Sequence, residues 1–125
     1  MSRTLIVEDS PDNAKLFRTL LTIKGHAVTA LCSGDGLLGV IEGAAPDLVL
    51  MDIQLPGRDG FALLSEIRGS PFQGLRVIAL SAHAMTGDCE RALAAGFDGY
   101  ITKPIDVRRF PGQIARALAG DSVLH

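Results

Sequence analysis

Several short apolar runs in this chain end on a residue able to do chemistry. LIV is followed by Glu8 and Asp9, LVLM by Asp52, VIAL by Ser81, and GYIT, ending in Thr102, by Lys103. Three carboxylates brought to roughly 4 Å of one another repel by about 4 kcal/mol per pair at an effective dielectric near 20. They therefore need a cation or must hold protons. Hard oxygen ligands in a cleft open to water favour Mg2+, which keeps several waters and takes one or two carboxylates directly, with Mn2+ able to substitute. Asp9 and Asp52 are the expected direct ligands, the backbone carbonyl of Gln54 is the third, and Glu8 reaches the ion through water. Lys103 offers a point charge to a phosphoryl group, and the Ser81 hydroxyl can donate to one of its oxygens. The set predicts a phosphoryl-transfer site.

Such convergence requires a scaffold that gathers strand ends. Runs rich in β-branched residues at Thr4 to Val7, Leu48 to Met51 and Val77 to Leu80 lack polar alternation, as expected of central parallel strands covered on both faces. The weaker runs at Ala27 to Leu31 and Gly99 to Thr102 suit the two edges, giving five strands. Between them, Ser10 caps a helix that has Pro11 at its first position, Gly25 past its end, and Leu16, Phe17, Leu20 and Leu21 as its buried stripe. A second helix is expected over Gly36 to Ala44. A third, over Gly60 to Arg68, presents Phe61, Leu64 and Ile67, and a fourth runs from about Met85 to Ala95. The fifth starts after Asp106 and carries Phe110, Ile114 and Leu118 toward Gly120. Pro111 falls one turn inside it, where a missing N–H should bend it or delay its start. Strict alternation of strand and helix with right-handed crossovers predicts a three-layer α/β fold around a parallel sheet. In such sheets ligands sit beyond the carboxyl ends of the strands, where strand order reverses.

With 125 residues, 47% of them hydrophobic, the chain is sized for one domain spanning residues 1–125, with no output domain after Asp121. The formal charge of −2 is dispersed, so no basic stripe invites nucleic acid or an anionic membrane. No apolar run is long enough to span a bilayer and no secretion signal opens the chain, so a cytoplasmic location is expected. Cys32 and Cys89 should then be reduced and buried as small hydrophobes. His26 and His125 are expected in solvent. Gly34, Gly36 and Gly39 form a literal G-x-G-x-x-G between a strand and a helix. A dinucleotide site would use the first strand–helix–strand unit and would leave Asp9, Ser81 and Lys103 unexplained, so a glycine-rich helix approach is favoured.

The acidic pair in LIVEDS, Asp52 in DLVLMDIQLPGRDG, Ser81 in VIALSAHA and Lys103 with Pro104 in YITKPI occur in an order that resembles the response-regulator receiver domain of two-component systems over essentially the whole chain. SPDNAKLF and MDIQLPG look closest to single-domain regulators of the cell-division type and to receivers of hybrid kinases. The resemblance implies a flavodoxin-like (βα)5 doubly wound sheet of strand order 2-1-3-4-5. It implies Asp52 as the phosphoacceptor toward a phosphohistidine on a partner histidine kinase or histidine phosphotransfer protein, and a cis peptide before Pro104 that aims Lys103. It further implies that Ser81 moves toward the phosphoryl group and vacates space into which Tyr100 turns. That rotation would alter the face made by the fourth helix, fifth strand and fifth helix and thereby a downstream protein target's affinity. Gln54 and His83, each two positions beyond a site residue, are placed to orient or exclude attacking water. The chain then catalyses only its own phosphorylation and dephosphorylation and is no enzyme in the wider sense. A phosphate sink or shuttle within a phosphorelay is the alternative.

Overall fold

The structure, a computed structural model, describes residues 2–55, 59–82, 88–120 and 123–124. Strands β1 (Arg3–Val7), β2 (Ala27–Leu31), β3 (Leu48–Asp52), β4 (Arg76–Ser81) and β5 (Gly99–Thr102) alternate with helices α1 (Pro11–Ile23), α2 (Leu37–Ala44), α3 (Gly60–Arg68), α4 (Asp88–Ala95) and α5 (Phe110–Leu118). The five strands pair in parallel in the order β2-β1-β3-β4-β5. A sixth, two-residue strand, β6 (Val123–Leu124), pairs in parallel with Gly99 and Tyr100. β5 is therefore not the outer edge that its short run suggested.

Successive strand residues point to opposite faces, and here helices cover both faces of the central strands. Leu5, Val7, Val49, Met51, Val77 and Ala79 pack with Leu37, Ile41, Leu63, Ile67 and Ala92 from α2, α3 and α4. Ile6, Leu48, Leu50, Ile78, Leu80 and Ile101 pack with Phe17, Leu21, Phe110 and Ile114 from α1 and α5. This double covering explains the uninterrupted apolar runs of β1, β3 and β4. It also leaves their polar carboxyl-terminal neighbours at the rim of the sheet.

The cap and proline signals of α1 and the bounds of α3 were read correctly, whereas the Asp59 cap and the buried Leu63 of α3 were not named. The Ser10 side chain accepts a hydrogen bond from the Asn13 N–H with Pro11 at the first position, and Asp59 caps α3 on the Ala62 N–H. Phe17 and Leu21 are buried on α1 and Leu20 is half-buried, but Leu16 is exposed, because the part of α1 that faces the sheet is narrower than the four-residue stripe expected. α5 begins at Phe110 rather than soon after Asp106. Pro111 consequently lies in its first turn, where the missing N–H has no intrahelical acceptor to lose, and the anticipated bend is avoided. Gly36 caps α2 with φ of 69°, a left-handed conformation that accounts for a glycine in the G-x-G-x-x-G stretch without any ligand.

Three burial expectations are corrected. Cys32 is exposed at the end of β2, and Cys89 is only half-buried on α4, where burial, with Glu90 adding to it, pushes its thiol pKa up; both are free thiols. His26 is half-buried against the end of α1, where its N–H donates to Leu21 O at 3.1 Å and its Nδ1 is enclosed without a partner. The start expected for the fourth helix near Met85, together with His83 and His125, lies outside the described residues.

Candidate functional site

The chain leaves β1 for the edge strand β2 and returns across β1 to β3, so strand order reverses between β1 and β3. Their carboxyl ends open the crevice in which such sheets hold ligands. Glu8 and Asp9 leave β1 on one side of it, and Asp52 ends β3 on the other. One carboxylate oxygen from each lies within 4.8 Å of the others. Ser81 ends β4, in register with Thr102, which places Lys103 at the next step of the rim. Glu8, Asp9, Asp52, Ser81 and Lys103 are thus gathered at one end of the sheet, with Gln54 two residues beyond Asp52.

The Lys103 ammonium binds between two of the acids. Its Nζ donates to Glu8 Oε1 at 2.9 Å and to Asp52 Oδ2 at 3.0 Å. Burial opposes the charge on Lys103, but these two carboxylates outweigh it and push its pKa up. The Gln54 N–H donates to the other Asp52 oxygen, Oδ1, at 2.8 Å. Asp52 is thereby oriented through both oxygens, although only 2% of its surface is exposed.

Glu8, expected to reach an ion through water, is 1% exposed and lies deep in the crevice. The Ser10 N–H and the Asn13 side-chain amide donate to it at 3.3 Å and 3.5 Å. Its pKa is pushed up from 4.5 to about 7, by burial first and then by the Asp52 carboxylate, against the opposing pull of Lys103. One ammonium group does not neutralise three acids. An all-oxygen set with one oxygen from each acid within 4.8 Å of the others, and with Asp9 exposed, suits a hard divalent cation.

Two contributors escaped the sequence reading. Asn13 lies in the first turn of α1, and its only signal is its spacing from Ser10. Gly60 opens α3, and a Cβ there would come within 2.6 Å of Ile53 Cα and 2.9 Å of the Asp52 carbonyl oxygen. No larger residue permits α3 to press so closely on the end of β3.

Tyr100 lies on β5 in register with Ala79, and two-residue periodicity puts Ala79, Ser81, Tyr100 and Thr102 on one face of the sheet. Tyr100 is only 3% exposed, within the cluster that includes Ala79, Ala92 and Phe97. The ring expected to turn inward is already enclosed. The Lys103–Pro104 peptide is cis, as the resemblance implied.

Sheet and crevice together define the class, a doubly wound parallel α/β domain with an acidic site at its switch point. Within that class the chain belongs to the response regulator receiver domain family, whose sequence profile matches residues 4–115. It is similar to the polar-differentiation response regulator DivK of Brucella ovis, with 41% identity over 107 residues that cover 85% of this chain and 87% of that protein. It is also 40% identical, over 111 residues and 86% of its length, to the sensor protein GacS of Pseudomonas syringae pv. syringae, of which it spans 12%. Among solved structures, the signal receiver domain of a signal transduction histidine kinase from Syntrophus aciditrophicus superposes with a TM-score of 0.84 at 30% identity, covering 96% of this chain and 92% of that one. The family assigns the chain to two-component signalling, and the likeness extends both to a regulator of similar length and to receivers within larger sensors.

Proposed function

We propose that this chain is a phosphoacceptor response regulator that receives a phosphoryl group on Asp52 from a partner histidine kinase or histidine phosphotransfer protein. The observation that carries this reading is the Lys103 ammonium held 2.9 Å from Glu8 and 3.0 Å from Asp52 at the switch point of the sheet. A buried carboxylate oriented through both oxygens is a prepared nucleophile, and a cation beside it meets the charge of an incoming phosphoryl group.

In the transfer, an Asp52 carboxylate oxygen forms a bond to phosphorus as the bond from phosphorus to the donor histidine nitrogen breaks. The leaving nitrogen keeps the electron pair. Lys103 is then drawn to the phosphoryl oxygens, and the Ser81 hydroxyl, at the end of the neighbouring strand, donates to another of them. Asp9, Asp52 and the Gln54 carbonyl would hold Mg2+, with Glu8 behind them, and the ion when bound supplies neutralising charge to the transferring oxygens. Glu8, because it is buried and bonded to Lys103, serves the ion by setting the charge of the crevice floor. Later attack of water on the acyl phosphate ends the signal. The chain's chemistry is confined to its own phosphorylation and dephosphorylation, which makes it a switch in the cytoplasm rather than an enzyme with a separate product.

Output runs through the face of α4, β5 and α5, because Ser81 and Tyr100 share the side of the sheet on which α4 packs. Likeness to a histidine kinase's receiver domain favours a second reading, a relay that passes the group onward to a phosphotransfer histidine. The two readings separate on lifetime: a persistent phospho form with altered partner affinity marks the switch, and a rapidly reversed one marks the relay.

Incubation with Mg2+ and acetyl phosphate, followed by intact-mass measurement, tests the common premise. Wild type should gain one phosphoryl group in a metal-dependent manner, and Asp52→Asn should gain none. A folded wild type that never gains the adduct would overturn the proposal.

A further inference from the structure

Gln54 is more than a neighbour of the phosphoacceptor. β3 and β4 run in parallel to their ends, with Asp52 in register with Leu80, and one rung further the Ile53 N–H donates to the Leu80 carbonyl at 3.0 Å. In a parallel ladder the next donor on the β4 side is the N–H two residues on, that of Ala82, and its regular acceptor is the Ile53 carbonyl. Here that carbonyl accepts instead from the Gly60 N–H at 3.2 Å, because α3 begins against it. The open rung is closed by a side chain: the Ala82 N–H donates to Gln54 Oε1 at 3.3 Å. The same residue's own N–H lies on Asp52 Oδ1 at 2.8 Å. Gln54 therefore bridges the gap between the phosphoacceptor's oxygen and the first backbone donor beyond Ser81.

We infer that the Gln54 side chain is a placeholder latch, whose carbonyl oxygen occupies the Ala82 N–H in the unphosphorylated protein and must give that donor up to an oxygen of the group on Asp52. The inference rests on reading Asp52 as the phosphoacceptor and adds a positioning residue to it. An amide oxygen is a neutral acceptor, whereas a phosphoryl oxygen is charged and accepts more strongly, so the exchange runs forward on phosphorylation and back on hydrolysis. The latch holds Ala82 near β3 until that exchange, and each departure from the unphosphorylated state costs one hydrogen bond. A competing bond of this strength changes an affinity by about two- to tenfold.

Gln54→Met keeps the length of the side chain and removes the acceptor, at an exposed position where folding is not at stake. Two readouts are taken on wild type and variant: amide exchange at Ala82 by NMR without ligand, and affinity for beryllofluoride with Mg2+, whose fluorides accept hydrogen bonds where phosphoryl oxygens would. The expected result is Ala82 exchange about two- to tenfold faster in the free variant, beryllofluoride binding tighter by a similar factor, and equal Ala82 protection once both are saturated. Unchanged Ala82 exchange, or unchanged or weaker beryllofluoride binding, in a variant compared with a wild type that binds normally would overturn the latch alone. Failure of beryllofluoride to bind the wild type would overturn the latch together with the receiver reading beneath it.

Discussion

Glu8 illustrates what residue type and burial together impose. A carboxyl group with 1% exposure and a pKa of about 7 costs stability when ionised, even with Lys103 at 2.9 Å. Its folded pKa lies above the unfolded value of 4.5, so between these two values the native state binds more protons than the unfolded chain. Stability should therefore fall as pH rises from about 4.5 through about 7 and level off above, by up to about 3 kcal/mol from this group. The Lys103 shift, upward from 10.5, acts only at higher pH and leaves that window alone. Thermal unfolding in chelator between pH 5 and 8 should show the decline. Saturating Mg2+ should reduce it, since a cation favours the carboxylate, and Glu8→Gln should flatten it. A wild-type profile in chelator that stays level across this range would contradict the charge arrangement described.

At the scale of elements, legibility in the sequence followed the number of faces an element buries. β1, β3 and β4 are covered on both sides, so their apolar runs stand out and their ends locate the acids and the hydroxyl, while the amine follows the shorter β5. α1 is covered on one side only, and four apolar residues in a row of turns do not reveal that Leu16 misses the sheet. The start of α5 depended on which of two proline effects prevailed, an interior bend or a first-turn placement, and the second costs nothing once the helix begins at Phe110. β6 has two residues and no pattern to read. Glu8's depth, too, lay beyond the motif, because adjacent acids at a strand end point to different sides and sequence does not say which one is enclosed. Gly60 was read only as the start of a helix, and its contact with the strand before it makes a stronger claim. Gly60→Ala forces a methyl group onto Ile53 Cα and the Asp52 carbonyl, both backbone atoms that have little room to yield. A loss of about 1–3 kcal/mol in urea unfolding is expected. Because the displaced atoms belong to the strand that carries Asp52, Mg2+ affinity should weaken as well, and a variant with native stability would show that α3 can shift outward freely.

For the whole molecule, the proposed function requires a group on Asp52 to become a change on a distant face. Converting a population from 1:99 to 99:1 takes about 5.5 kcal/mol of preference for one state. Two charge-assisted hydrogen bonds to phosphoryl oxygens, from Ser81 and Lys103, supply about 1.5 to 3 kcal/mol each, so both are needed to approach it. Lys103 begins already committed to Glu8 and Asp52, and its gain on phosphorylation is reduced by what it leaves. Ser81 is fully buried at the end of β4, on the same face of the sheet as the enclosed Tyr100. Movement of Ser81 toward the phosphoryl group therefore has to be absorbed within a packed layer, where side chains exchange discrete arrangements rather than deform smoothly. Since Tyr100 is already inside, the proposed output would be read as a repacking of its ring against α4, with β6 paired along the same strand. Ser81→Ala tests the chain of events, because it removes the hydroxyl with little change in volume. The variant should still gain a phosphoryl group from acetyl phosphate, but its α4 and β5 amide resonances should move far less on phosphorylation than those of the wild type. Partner affinity should lose at least half of its phosphorylation dependence on a free-energy scale. Full retention of both responses in a phosphorylated Ser81→Ala protein would remove Ser81 from the coupling and leave Lys103 and the Ala82 N–H to carry it.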